Sequence, residues 1–142
     1  MIKEIVLCTA GATAFAVTMR VKTDSIAYVI IGSLITSYIS IALNETTGEF
    51  YACTLAMLIL SFYCEICSRL IKKPRTVILL PSTIPLLPGS YIYYSILGVI
   101  NENREMFLQY ARRTAAVGTA IALGTVISSI IMIIIKDIKE KL

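Results

Sequence analysis

Five long apolar runs, separated by short polar segments, dominate the sequence. The runs cover about residues 3–19, 26–43, 50–71, 76–100 and 107–135. Each run approaches the roughly 20 apolar residues that a helix needs to cross the hydrocarbon core of a bilayer. An α-helix satisfies its own backbone hydrogen bonds, as a segment in lipid must. The pattern therefore predicts an all-α polytopic membrane protein, with residues 1–142 forming a single transmembrane domain of five helices.

The composition of the chain supports this location in the lipid bilayer. Of its 142 residues, 57% are hydrophobic and 15% are charged, and His and Trp are absent. Soluble domains average roughly 45–50% apolar and about 25% charged residues, which disfavours the alternative of a soluble helical bundle. The basic residues flank the apolar runs and form no patch, which argues against nucleic-acid binding.

Five spans would place the two termini on opposite sides of the membrane. Nine Lys and Arg residues then fall on one side and four on the other, and these residues concentrate in cytoplasmic loops. The larger group is Arg20, Lys22, Arg69, Lys72, Lys73, Arg75, Lys136, Lys139 and Lys141, and the smaller is Lys3, Arg104, Arg112 and Arg113. We therefore expect the N-terminus outside and the C-terminus in the cytoplasm.

The fourth run contains the sequence PSTIPLLPG at residues 81–89. A Pro in a helix interior removes a hydrogen bond and clashes with the preceding turn, at about 3 kcal/mol or more. In transporters, such discontinuous helices often bind substrate. The motif predicts a helix broken near the midpoint of the fourth span, and the N-terminus of a second half-helix near Ser90 would attract a carboxylate. A structural kink, satisfied by neighbouring helices, is the alternative.

Residues in and around this motif are expected to line a substrate path. They are Pro81, Ser82, Thr83, Pro85, Pro88, Gly89, Ser90, Tyr91 and Tyr94. The hydroxyl groups could hydrogen-bond a small polar substrate, and Gly89 can take backbone angles that are closed to other residues.

Glu65 and Arg69 lie one helical turn apart near the end of the third run, with the acid N-terminal to the base. This order favours an ion pair, which could anchor the helix end. Because ionisable residues within a span are functional candidates, Glu65 could instead carry a proton or contact substrate. Cys64 and Cys67, in the same run, form a C-x-x-C without a second ligand pair, so we interpret them as packing residues and predict no metal and no cofactor.

Small residues recur every four positions in the last run. Ala120, Gly124 and Ser128 form one row, and Gly118 and Ala122 form a second. Such rows let neighbouring helices approach closely. They predict a packing face, used within the bundle or by a protein partner, which includes the option of a homo-oligomer. Gly32, Thr36 and Ser40 form a similar row in the second run.

The run RLIKKPRTVILLPSTIPLLPGSYIYYSILG resembles the threonine/serine exporter family, in particular the small subunit of its two-component members, such as the small subunit of the enterobacterial succinate exporter. The likeness rests on the basic loop that ends in Lys-Pro, the Gly/Ala-rich first helix and the small-residue last helix. It also includes the I-P-x-x-P-G core formed by Ile84, Pro85, Pro88 and Gly89. In the first loop, Val21-Lys22 departs from the Val-Pro that the family leads us to expect.

The resemblance implies a subunit in the bacterial cytoplasmic membrane that pairs with a larger membrane subunit and exports threonine, serine or related small carboxylates. The two halves would form an inverted-topology pair with the substrate site near the midplane between them. The alternative is a structural subunit that stabilises its partner without touching substrate. Because no carboxylate lies near the centre of a span, we expect the partner to supply the proton-coupling group, with Glu65 as the local candidate. The chain offers no nucleophile–base pair or phosphate loop, so no enzymatic activity is predicted.

Overall fold

The computed structural model describes the backbone of residues 2–141 and the side chains of residues 2–138. This part of the chain forms six α-helices and one 3₁₀ turn, and contains no strand. The elements are α1 (Ile2–Thr18), α2 (Thr23–Thr47), α3 (Glu49–Ile71), α4 (Thr76–Ser82), the 3₁₀ turn Ile84–Leu86, α5 (Gly89–Ile100) and α6 (Arg104–Lys141). The predicted all-α class is confirmed. The side chains of Lys139 and Lys141, which entered the loop-charge count, lie outside the described residues.

Three single helices and one bent pair are long and apolar enough to cross a membrane. The helices are α2, α3 and α6, and the bent pair joins Thr76–Leu86 to α5 at an angle of 57°. The chain is thus a polytopic membrane protein. The remaining helix, α1, has 17 residues, which is the lower end of the range of about 17–25 residues for a span. The count of five crossings therefore stays a prediction.

A single residue, Gly48, connects α2 to α3. The sequence pattern led us to expect a polar loop over residues 44–49, but α2 continues through most of it. Gly48 has φ +86°, a conformation that glycine adopts without the steric cost that a side chain would bring. The short link makes α2 and α3 a tight antiparallel hairpin, and it brings Asn44 close to Glu49.

The prolines explain the break between α4 and α5. The ring of a proline clashes with the carbonyl four residues before it, so Pro85 prevents α4 from continuing beyond Ser82 as an α-helix. A residue before proline is pushed to extended angles, and Leu87, which precedes Pro88, has φ −67° and ψ 130°. Helix α5 starts at Gly89, one residue before the predicted start. Gly89 does not have a positive φ, so the break depends on the prolines and not on special glycine angles.

The last helix is much longer than the bilayer core. Its 38 residues span roughly 57 Å at 1.5 Å per residue, against a hydrocarbon core of about 30 Å. The first part of α6, which contains Arg112 and Arg113, runs antiparallel to α5 and packs against it. A Cβ atom at Gly98 would lie 2.7 Å from the backbone nitrogen of Phe107, so the backbones of α5 and α6 are in direct contact at this point.

The packed centre of the protein is formed mainly by α2, α3, α4 and α6, with Ala16 of α1 and Leu86 of the 3₁₀ turn. Ser82 of α4 lies against Gly32 of α2, where an added Cβ would be 2.7 Å from the Ser82 Oγ, and Ser82 donates a hydrogen bond to the Val29 carbonyl. Gly124 of α6 meets the backbone carbonyl of Thr54 on α3 equally closely. Small residues therefore set the helix spacing, as expected in lipid.

The two small-residue rows of α6 differ in their surroundings. Ala120, Gly124 and Ser128 are buried, with Gly124 against α3, whereas Gly118 and Ala122 are exposed. The predicted packing face therefore divides into a row used within this chain and a row that the chain leaves open. On α3, the free thiols Cys53, Cys64 and Cys67 are buried in the hydrophobic core.

Candidate substrate site at the helix break

A small cavity, here called the notch, lies beside the break between α4 and α5. Its volume is about 220 Å³, below the roughly 300–1,000 Å³ of pockets that hold drug-sized ligands. The polar part of its lining comes from Ser40, Asn44, Glu49, Ser90 and Tyr91. The dimensions and the lining suit a small polar molecule.

The notch lies beside the first two turns of α3. Glu49 is the first residue of α3, and Cys53, one turn further, also lines the notch. The notch is therefore level with one end of α3, while the break itself begins after Ser82, which meets Gly32 in the middle part of α2. Along the chain the break lies near the middle of Thr76–Ile100, and its depth in the membrane stays a prediction.

Three tyrosines and one arginine surround the start of α5. Tyr110 stacks on Tyr94, with ring centroids 5.1 Å apart, and lies 6.2 Å from Tyr91. The guanidinium carbon of Arg113 lies 5.7 Å from the centroid of the Tyr91 ring, within the range of a cation–π interaction. The carboxylate of Glu49 and the guanidinium of Arg113 thus both lie close to Tyr91.

The N-terminus of α5 adds backbone donors next to the notch. The N–H of Gly89 bonds to the Leu87 carbonyl, and that of Ile92 bonds to the Pro88 carbonyl. In the described chain, the N–H groups of Ser90 and Tyr91 have no backbone acceptor, and Pro88 provides no side-chain cap. Free N–H groups at a helix N-terminus favour an anion, so this end of the notch can accept a carboxylate.

The predicted substrate-path residues do not all reach the same cavity. Pro85, Pro88, Ser90 and Tyr91 line the notch, and Gly89 is exposed between them. Pro81 lines a different cavity, which runs along one side of α4.

The hydroxyls of the other path residues have local partners. Thr83 donates its hydroxyl to the Leu79 carbonyl, while Ser82 is held by Val29. The ring of Tyr94 packs on Tyr110 outside the notch lining. Of the path residues predicted from sequence, those that line the notch therefore all follow Thr83 in the chain.

A family model described as Threonine/Serine exporter, ThrE, matches residues 4–131 of the chain. The chain belongs to the threonine/serine exporter family. The match includes every element that forms the notch, and the family consists of membrane transporters rather than enzymes. No curated protein and no solved structure matches this exporter significantly.

Sequence reasoning missed three polar residues that line the notch of this exporter: Ser40, Asn44 and Glu49. Asn44 and Glu49 were assigned to a surface loop, and Ser40 was interpreted as part of a packing row. The available signal was the isolated Gly48 between two apolar runs, because a one-residue link forces the polar ends of both helices together.

The Glu65–Arg69 pair lies at the opposite end of α3. Both Nε and Nη2 of Arg69 lie 3.0 Å from the Glu65 Oε1, so the structure contains the ion pair that the spacing predicts. Arg75 lines the same surface pocket and donates to the Ser129 hydroxyl on α6. Glu65 and Glu49 are 16 positions apart on α3, which separates them by roughly 24 Å along the helix axis. This pair is therefore not part of the notch.

Proposed function

We propose that this chain is the small subunit of a two-component exporter and that threonine or serine binds in the notch at the helix break. The larger subunit is a second membrane protein of the same family. In this proposal Pro85, Pro88, Ser90 and Tyr91 form the substrate wall, while Pro81, Ser82, Thr83 and Tyr94 keep α4 and α5 in position around it.

The observation that carries the proposal is the presence of two opposite charges, Glu49 and Arg113, beside Tyr91. An amino acid has an ammonium group and a carboxylate on the same carbon. Glu49 can bind the ammonium group, while Arg113 and the free N–H groups of α5 can bind the carboxylate. The Tyr91 hydroxyl between them can hydrogen-bond the substrate. A dicarboxylate such as succinate would instead place its second negative charge near Glu49, so the charge arrangement favours amino acids.

The surfaces around the notch support a partner subunit. Helix α5 packs chiefly against α6, and its side chains Ile92, Ile96 and Val99 are exposed. The open row of Gly118 and Ala122 on α6 is the kind of surface against which a membrane helix packs closely. A larger subunit that covers these surfaces would close the notch on its open side.

Glu49 changes the expectation about proton coupling. The sequence led us to assign the coupling group to the partner, with Glu65 as the local candidate. Glu49 is partly buried and belongs to the notch, so within this subunit it is a better placed carboxylate than Glu65. We retain the partner as the source of the coupling group and assign Glu49 to substrate binding.

The test uses cells that express both subunits and are loaded with labelled threonine, serine or succinate. Glu49→Gln and Arg113→Gln are each expected to lower threonine efflux about tenfold or more, because a hydrogen bond to a charged group contributes about 1.5–3 kcal/mol. Glu45→Gln and Arg112→Gln are matched controls. Glu45 does not line the notch, and Arg112 is the sequence neighbour of Arg113, the arginine that contacts the Tyr91 ring. Wild-type levels of threonine efflux in Glu49→Gln, or efflux of succinate in preference to threonine, would refute the proposed site.

A second substitution separates this function from the purely structural subunit. A Cβ at Gly89 would meet no atom within 4 Å, so Gly89→Leu is expected to fold and to assemble with the larger subunit. The leucine side chain would occupy the mouth of the notch, and efflux should fall. Normal efflux with normal assembly would instead favour a subunit without substrate contact.

A further inference from the structure

A second cavity, here called the basic cavity, lies at the end of the bundle opposite to the notch. It has a volume of about 420 Å³ and is enclosed by the turn between α1 and α2, the first turn of α2, the turn between α3 and α4, and one side of α4. Its polar edge is formed by Arg20, Lys22, Ser25 and Lys73. Its apolar wall is formed by Met19, Val21, Val77, Leu80 and Pro81.

The charge of this cavity is positive, and no described side chain compensates it with an ion pair. Three cationic side chains line it and no carboxylate does. Lys73 donates a hydrogen bond of 2.9 Å to the Ser25 hydroxyl, which carries no charge. Among the described side chains, neither Arg20, Lys22 nor Lys73 forms an ion pair, and the nearest acid in sequence, Asp24, is exposed and does not line the cavity.

Backbone structure holds these cations in place. Arg20 has φ +55° and lies in the sharp turn after α1, where the Val21 N–H bonds back to the Ala16 carbonyl. Lys22 is the N-cap residue of the 25-residue helix α2, and its side chain makes no capping hydrogen bond. The positive end of the α2 dipole therefore points into the same region as the three cations, and both effects favour an anion.

The apolar wall opens sideways along the surface of the bundle. Met19 is 48% exposed and Leu80 is 53% exposed, and both lie in or next to segments that face lipid. An anion with an attached hydrocarbon chain would cover these side chains and neutralise the basic edge at the same time. A small dianion would leave the apolar wall uncovered, and the ammonium group of an amino acid would find no acidic partner there.

We propose that the basic cavity binds an anionic phospholipid, with its phosphate held by Arg20, Lys22 and Lys73 and the start of one acyl chain along Met19 and Leu80. Basic pockets between membrane helices on one side of the bilayer suit such headgroups. Because Pro81 and Leu80 belong to α4, the lipid joins the turn between α1 and α2 to the helix that carries the break. The inference does not depend on the proposed substrate site.

The absence of Trp from the sequence allows a direct test with the full chain in lipid vesicles. Leu80→Trp places a single fluorophore at the apolar wall, and Ile130→Trp places one at an exposed position of similar burial on α6. Brominated phosphatidylglycerol and brominated phosphatidylcholine are then compared as quenchers. The expected result is stronger quenching by phosphatidylglycerol at position 80 and equal quenching by both lipids at position 130. Equal quenching at position 80 would overturn the proposal.

Charge variants in the Leu80→Trp protein test the basic edge. Removing one cation near an anionic lipid costs about 1 kcal/mol, so Lys22→Gln and Lys73→Gln should each lower the preference for phosphatidylglycerol about fivefold. Lys72→Gln removes the same charge from an exposed neighbour that does not line the cavity, and it should preserve the preference. The exposed position of Lys22 makes its variant informative even if Lys73→Gln fails to fold.

Two outcomes of this series would contradict the lipid assignment. An equal loss of preference in Lys72→Gln would show that general surface charge attracts the lipid. Displacement of the brominated lipid by millimolar inorganic phosphate or succinate would show that a soluble anion occupies the basic cavity. Persistence of lipid quenching in the presence of both anions supports the phospholipid.

Discussion

Replacing Gly124 with alanine is expected to weaken the contact between α3 and α6. The added Cβ would lie 2.7 Å from the Thr54 carbonyl oxygen and 2.9 Å from the Met57 Cβ. Because the first of these atoms belongs to the backbone of a helix, it cannot rotate away, and the two helices must move apart. Overpacking of this kind costs about 1–3 kcal/mol.

Gly118→Ala is the matched control on the same helix. A Cβ at Gly118 would meet no atom within 4 Å, so this substitution has the helix-propensity gain of up to about 1 kcal/mol without the clash. Since both variants make the same chemical change, the difference between them isolates the packing cost of about 1–3 kcal/mol.

The assay is the apparent melting temperature of the purified chain in detergent micelles. At roughly 2–4 °C per kcal/mol, Gly124→Ala should melt roughly 2–12 °C below Gly118→Ala. Equal melting temperatures would refute the reasoning, because they would mean that α6 does not meet α3 through Gly124. Circular dichroism of both variants checks that helix content is unchanged.

Three further predictions concern other parts of the molecule. The buried Ser61 hydroxyl has no hydrogen-bond partner, so Ser61→Ala should raise the melting temperature by removing a penalty of about 1–3 kcal/mol. The control Ser33→Ala removes a hydroxyl that is hydrogen-bonded and should not raise the melting temperature. A lower melting temperature for Ser61→Ala would contradict the burial argument. Glu65→Gln breaks a partly exposed ion pair worth about 0–1 kcal/mol, so the stability of the chain and its proton-dependent export should both persist. Loss of proton coupling in a normally assembled complex would instead assign the coupling group to this subunit. An impermeant maleimide added to intact cells should label Glu102→Cys and not Lys72→Cys in a Cys8→Ser background, and the reverse pattern would place the N-terminus in the cytoplasm.

The sequence was sufficient to predict the membrane class and the position of the broken helix along the chain. Apolar runs long enough to cross a bilayer indicate helices in lipid. The spacing of Pro85 and Pro88 determines where an α-helix must stop and where the next can start. Both arguments depend on local chemistry, which a sequence contains in full.

The level of the break within the bundle could not be predicted in the same way. It depends on how far α4 and the 3₁₀ turn run beside α2 and α3, and the contacts of Ser82 with Gly32 and Val29 fix that register. The place of Glu49 in the notch was missed for a related reason, since it follows from the one-residue link at Gly48. The division of the α6 rows likewise depends on which side of the helix faces α3, and both rows have the same four-residue spacing.

The two halves of the broken span are attached to different parts of the protein. Helix α4 packs on α2 and α3, while α5 is fastened to the first part of α6 through Gly98 and the tyrosine rings. Any tilt of α6 about the tight Gly124 contact would carry α5 with it and would have to be absorbed at residues 83–88. Spin labels on α4 and α5 would report such a tilt as a change in their separation when substrate is added. The prolines would then form a hinge between α4, which stays in place, and α5, which moves. The width of the substrate site would depend on the tilt angle of α6, whose far end lies on the other side of the membrane.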